Sequence, residues 1–196
     1  MLKIHTLTLG MYQTNTYIIH DELSKTCCII DPGYQANTIL NKTDALGLTV
    51  EAILLTHGHF DHVGAVKDIA AEADCRVFIC AEDLRLPHTF TAGPIYYTDT
   101  YAEGTQLHLA GLDIAVLQTP GHTPGSVCLI CENAMFSGDT LFAGDCGRTD
   151  LPGGSWNQMI QSLHRLAAIE ADLAVFPGHE ESTTLAHERR YNRCIN

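Results

Sequence analysis

The chain has 196 residues, 45% of them hydrophobic, and a formal charge of −12. That is enough apolar material to bury a substantial core in one domain spanning 1–196, with no low-complexity or charge-block segment that would stay disordered. The acidic balance argues against a nucleic-acid partner, which needs a basic face, but a single local arginine still suffices for a small anionic ligand.

The opening Met1-Leu2-Lys3-Ile4-His5-Thr6-Leu7 has no long apolar run and no small-residue cleavage site. No signal peptide is expected there, nor a membrane span anywhere, so the expected location is cytoplasmic. Asn15–Ile19 and Thr26–Ile30 read as short strands rich in β-branched and aromatic residues, and Asp31-Pro32-Gly33 closes the second with turn chemistry. Ala36, Ile39, Leu40 and Leu46 fall at helical spacing and end near Gly47. Ala52–Leu55 reads as an apolar strand, Val63–Ala73 as a helix and Arg76–Cys80 as another strand. This alternation signals a layered α/β architecture. Pro87–Thr100 reads as a long surface loop. The middle is strand-rich, over Leu107–Leu109, Asp113–Gln118, Ser126–Cys131 and Ala134–Phe136. Gly153-Gly154-Ser155 starts a helix whose apolar stripe is Ile160, Leu163 and Leu166. Leu173–Phe176 reads as a last strand and Glu180–Arg193 as a terminal helix.

The eight cysteines do not require disulfides in a chain with this much core. Cys27 and Cys28 are adjacent on a strand and point to opposite faces. Cys128-Leu129-Ile130-Cys131 has the spacing of a zinc or redox pair, but it lies mid-strand and no second pair completes it. All four read as buried, reduced thiols behaving as small hydrophobes.

The chemistry concentrates in His57-Gly58-His59-Phe60-Asp61-His62, between a buried strand and a helix. Three imidazoles and a carboxylate in six residues are costly to bury unpartnered. Together they suit zinc, iron or manganese. One ion cannot easily use all four neighbours, whereas two adjacent ions can. The same device, a strand running into a Gly-flanked ligand, recurs at Pro120-Gly121-His122, Ser137-Gly138-Asp139 and Pro177-Gly178-His179. The remaining histidines, His5, His20, His88, His108, His164 and His187, have no ligand-like context and read as structural or solvent-exposed.

In order and spacing these residues resemble the metallo-β-lactamase superfamily over nearly the whole chain. The resemblance implies an αββα sandwich. It also implies a first metal held by His57, His59 and His122, a second held by Asp61, His62 and His179, and Asp139 bridging them. Asp31 matches an acid that supports the ligand loop. Phe136–Phe142 and Cys146-Gly147-Arg148-Thr149-Asp150 are most similar to the glyoxalase II or hydroxyacylglutathione hydrolase branch. Two features depart from that branch: its C-terminal helical domain has no counterpart before Asn196, and Phe176-Pro177-Gly178 stands where a basic residue precedes the last histidine. Glutathione is therefore not implied. The persulfide dioxygenases, which use a single iron, share the Cys-Gly-Arg-Thr-Asp stretch.

The expected activity is hydrolysis of a small thioester or related ester by a hydroxide bridging two divalent ions, zinc first among the candidates. Asp61 would also orient the nucleophile. Arg148 would hold a substrate carboxylate, or else form a surface ion pair with Asp145 or Asp150. Cys146 is close to these residues in sequence. The alternatives are a mononuclear iron persulfide dioxygenase, a lactonase, and a non-catalytic module stabilised by metal. β-Lactam hydrolysis ranks below thioester hydrolysis, because true β-lactamases lack a bridging aspartate at the position of Asp139. Oligomeric state is open, a homodimer included.

Overall fold

The computed structural model describes residues 1–196. Three antiparallel strands open the chain: β1 (Leu2–Leu9), β2 (Thr14–Asp21) and β3 (Thr26–Ile30). Helix α1 (Ala36–Ala45) crosses to β4 (Thr49–Leu54). Helices α2 (Phe60–Val63) and α3 (Val66–Ala73) then cross to β5 (Arg76–Cys80). A 3-10 turn at Ala81–Arg85 and the short α4 (His88–Thr91) lead to β6 (Asp99–Tyr101). Strands β3 to β6 are mutually parallel, as helical crossovers require, and β1 to β6 form one sheet in sequence order.

The second half builds β7 (Gln106–Leu109), β8 (Leu112–Gln118), β9 (Val127–Cys131) and β10 (Ala134–Gly138). A small hairpin, β11 (Leu141–Phe142) with β12 (Asp145–Cys146), precedes α5 (Trp156–Ala167). Strand β13 (Ala174–Pro177) returns parallel to β10, and β14 (Thr183–Thr184) pairs with β13 before α6 (Leu185–Tyr191). This sheet runs in the order β14-β13-β10-β9-β8-β7.

The period-two alternation of the strands sorts the apolar residues into three layers. Between the sheets lie Ile19, Cys28, Ile30, Leu54 and Phe78 from the first and Ile114, Val116, Leu129 and Phe136 from the second. The odd positions Cys27, Ile29, Ile53, Val77 and Ile79 face outward onto Ile39, Val66 and Ile69 of α1 and α3. On the far side Cys128, Met135 and Val175 pack under Met159, Leu163 and Leu166 of α5. The order is helix, sheet, sheet, helix, the αββα sandwich expected. The same parity separates Cys27 from Cys28 and Cys128 from Cys131, placing each pair on opposite faces of its sheet. All eight cysteines are free.

The structure corrects several boundaries. Strand β1 is absent from the sequence reading because its apolar residues change face midway: Leu2 and Ile4 touch the inter-sheet core, whereas Leu7 and Leu9 touch the outer layer. The helix expected over Val63–Ala73 begins earlier and breaks at Gly64-Ala65, where Ala65 N–H donates to the Pro32 carbonyl (2.9 Å). The expected Pro87–Thr100 loop holds α4 and the start of β6, elements too short to show a period. The terminal helix is trimmed to Leu185–Tyr191, capped by Thr184, whose hydroxyl accepts from His187 N–H. No helix is long and apolar enough to cross a membrane.

Candidate metal centre

The clustered residues sit on loops that leave neighbouring strand ends. Parallel pairing of Ile30 with Leu54 sets Asp31 beside the segment after β4. Asp31 adopts a left-handed backbone (φ 50). Its Oδ1 accepts from Thr56 N–H at 2.8 Å, and its Oδ2 accepts from the Thr56 hydroxyl at 2.5 Å and faces His62 Nδ1 at 3.0 Å. In the second sheet, parallel pairing of Gly138 with Pro177 brings Asp139 and His179 together. Gly178 is required by close approach, since a Cβ there would fall on Asp139 Oδ1 and the His62 ring.

The structure brings all seven expected residues into one cluster. Imidazole nitrogens of His57, His59 and His122 form one group and donor atoms of Asp61, His62 and His179 another, each within 4.8 Å. Asp139 lies between them, its Oδ1 3.4 Å from His62 Nε2 and its Oδ2 3.4 Å from His122 Nε2 and 3.6 Å from His179 Nε2. A third grouping adds Asp31 to His57 and His62. Both Asp31 oxygens are already engaged, so Asp31 acts as a support.

Four histidines share one device. The Nδ1 atoms of His62, His122, His179 and His57 face Asp31, the Arg148 carbonyl (2.7 Å), the Tyr12 carbonyl (3.0 Å) and the Thr56 hydroxyl (3.1 Å). A proton on each Nδ1 leaves each Nε2 a free lone pair, the tautomer that metal ligation uses. His59 is reversed: its Nδ1 lies 2.8 Å from His122 Nε2. Buried His57 Nε2 and Asp139 Oδ1 have no hydrogen-bond partner. Unpartnered buried polar atoms are costly, and here they sit within a donor set suited to a divalent cation.

The electrostatics agree. Burial, reinforced by neighbouring imidazoles, holds His57 well below its ordinary pKa and brings His59 down to about 4, so both are neutral. Burial also acts against charge on His62, but Asp139 and Asp31 outweigh it and raise that imidazole to about 9. Asp61 is opposed by burial too, yet the bond to His179 and the charge of His62 hold it down at about 2. Neutral imidazoles beside ionised carboxylates are the forms that bind metal, and a bound cation displaces a competing proton such as that on His62.

The sequence reading missed the residues that hold the loops together. Asp83, fully buried after β5, accepts from Gly58 N–H (2.8 Å), the Thr123 hydroxyl (2.8 Å) and Gly125 N–H (2.6 Å). It fastens the His57–His59 loop of one sheet to the His122 loop of the other. Asp83 follows a parallel strand as Asp31 does, and that analogy is the only sequence signal for it. Asn15 donates from its side-chain amide to the carbonyls of Pro177 (3.1 Å) and Glu180 (2.9 Å), bracketing His179. Arg148 contributes its carbonyl to His122, while its guanidinium is exposed and paired with Asp150 at 2.7 and 2.8 Å.

Residues 9–179 match the metallo-beta-lactamase superfamily, and the chain belongs to it. Among curated relatives, the hydroxyacylglutathione hydrolase GloC of Haemophilus influenzae is 31% identical, covering 100% of this chain and 99% of that protein. Among solved structures, the B3 metallo-beta-lactamase BLEG-1 superposes with a TM-score of 0.89 at 33% identity over 100% of both chains. TTHA1623, solved in a di-iron-bound form, gives 0.86 at 35% identity over 96% of this chain and 98% of that one.

Proposed function

We propose that this protein is a binuclear metal-dependent hydrolase of thioesters or related esters. The observation that carries the proposal is the placement of Asp139, with one oxygen toward His62 and the other toward His122 and His179. His57, His59 and His122 would hold one divalent ion, Asp61, His62 and His179 the other, and Asp139 both. Two such ions supply Lewis acidity and lower the pKa of water to near neutrality. The residues of this chain aim and support that centre. Asp31 orients His62 directly and His57 through Thr56, and the carbonyls of Arg148 and Tyr12 orient His122 and His179. Asp61 keeps its charge near the reacting water and orients it. The full-length similarity to GloC supports a thioester substrate, and the di-iron form of TTHA1623 supports two ions and admits iron beside zinc.

Arg148 would receive a substrate carboxylate by exchanging its Asp150 partner for it, since a guanidinium offers a planar fork. Such an exposed pair contributes little stability, so the exchange costs little. β-Lactam hydrolysis is the second reading, favoured by the likeness to BLEG-1.

One experiment separates these activities. Metal content is measured together with kcat/KM for a hydroxyacyl thioester, a lactone, a β-lactam and a persulfide, the last with oxygen uptake. We expect two ions per chain at the histidine–aspartate cluster, a content that His57→Ala and His62→Ala lower, and the highest kcat/KM on the thioester. Arg148→Ala should raise KM for anionic thioesters and leave neutral ones nearly unchanged. A single iron with persulfide-dependent oxygen uptake overturns the proposal in favour of a dioxygenase, and a lactam preference overturns it in favour of the second reading.

A further inference from the structure

A second group of ligating side chains lies outside this centre. Strand β12 ends at Cys146, half-buried beside Asp145. The segment after α6 is brought onto the hairpin by Asn192, whose side-chain amide donates to the carbonyls of Phe142 (3.3 Å) and Asp145 (2.9 Å) and to Glu188 Oε2 (2.8 Å). The Asn192 Oδ1 accepts from Cys194 N–H at 2.8 Å, which fixes that residue over β12. The Cys194 thiol lies 3.3 Å from Asp145 Oδ1. The Cys146 and Cys194 sulfurs and an Asp145 oxygen lie within 4.8 Å of one another, all partly open to solvent. The other six cysteines are buried.

We propose that Asp145, Cys146 and Cys194 form a second, thiolate-rich site for a divalent cation of the zinc type, which fastens the C-terminal segment to the β11–β12 hairpin. Two thiolates and a carboxylate are a ligand set that zinc accepts, leaving a fourth position for water. Asp145 Oδ2 keeps its ion pair with Arg193 while Oδ1 faces the Cys194 sulfur. With that guanidinium in place, one divalent ion leaves the whole group neutral. Burial pushes the Cys146 thiol up to about 12 and also raises Cys194, so both stay protonated until a cation displaces the protons. The site adjoins the centre described above: Gly147 packs against the Asp139 backbone, and the Arg148 carbonyl receives His122. An ion here would hold the loop that orients His122.

The test uses the intact protein, kept reduced with a phosphine and loaded with Co²⁺. Ligation by thiolate gives an intense near-ultraviolet charge-transfer band. The histidine–aspartate cluster contains no sulfur and cannot produce that band whether or not it binds metal, so the two proposals fail separately. We expect the band in the wild type and its loss in Cys146→Ser and in Cys194→Ser, with one fewer bound zinc per chain in each. Circular dichroism establishes that these variants are folded. Asp145→Asn, which keeps both sulfurs, should weaken Co²⁺ binding at this site by roughly tenfold or more. Absence of the band in the wild type overturns the inference, as does a band that survives both serine variants.

Discussion

Asp31 and Asp83 perform similar work, and comparing them shows what a single carboxylate can do between strands. Each follows a strand of the parallel part of the first sheet, and each accepts three hydrogen bonds in a buried setting. Asp31 reaches His62 and, through Thr56, His57. Asp83 touches no histidine and instead ties Gly58 to Thr123 and Gly125, so it positions two ligand loops through their backbones. Burial raises its pKa against three compensating bonds. Asp83→Asn presents an amide to donors that need an acceptor. With a buried unsatisfied group costing about 1–3 kcal/mol, we expect a stability loss of roughly 2–4 kcal/mol. Metal affinity at the His57–His59–His122 group should fall about 10- to 100-fold. Urea unfolding checks the first effect and chelator competition the second. Lost stability with unchanged affinity would make Asp83 a support of the fold alone. Asp31 was legible because it lies in the Asp-Pro-Gly turn of a recognisable pattern. Asp83 stands beside Glu82 in a segment with no such mark, and only its burial distinguishes it.

At the scale of elements, helix α5 links the outer layer to the centre. Met159, Leu163 and Leu166 are buried against the second sheet. The Ser162 hydroxyl donates to the Pro120 carbonyl at 2.7 Å, and Gly121 backs directly onto Met159, where a Cβ would clash. Of the apolar stripe read from sequence, Leu163 and Leu166 are buried as expected, while Met159 takes the buried first position expected for Ile160, which is only half-buried. Helical period identifies a face to within one residue, and contact with the Pro120–Gly121 turn selects among the choices. Leu163→Ala should cost about 2–5 kcal/mol by leaving a cavity, with the metal content of the folded protein unchanged. Denaturant unfolding paired with metal analysis checks this, and a lost ion would show that α5 sets the ligand geometry. The α2–α3 break carries the same lesson: apolar spacing runs through Gly64, while the Pro32 carbonyl draws Ala65 out of the helix.

Across the whole molecule, the proposed ligands come from both sheets. His57, His59, Asp61 and His62 leave the first, and His122, Asp139 and His179 leave the second. A bound ion therefore cross-links the sandwich at its edge and should stabilise the native state by mass action. At a free metal concentration a thousandfold above Kd this is worth about 4 kcal/mol. At about 2–4 °C per kcal/mol for a domain of this size, chelation should lower Tm by roughly 8–16 °C. Thermal melts with and without chelator decide it, and an unchanged Tm would count against ligation from both sheets.

By itself the sequence determined the alternation of strands and helices, the assignment of adjacent cysteines to opposite faces, and the identity of the clustered histidines and aspartates. Periodicity, turn chemistry and residue type are local properties, and they survive in one dimension. Only the tertiary structure decided the rest. It set the distance of each Asp139 oxygen from the two groups, turned the Nε2 atoms of His62, His122 and His179 inward through partners distant in sequence, joined the ligand loops through Asp83, and drew Cys194 onto Cys146 across 48 positions. These depend on strand register and on the packing of one sheet against the other, which bring together residues whose separation in the chain carries no trace of their contact.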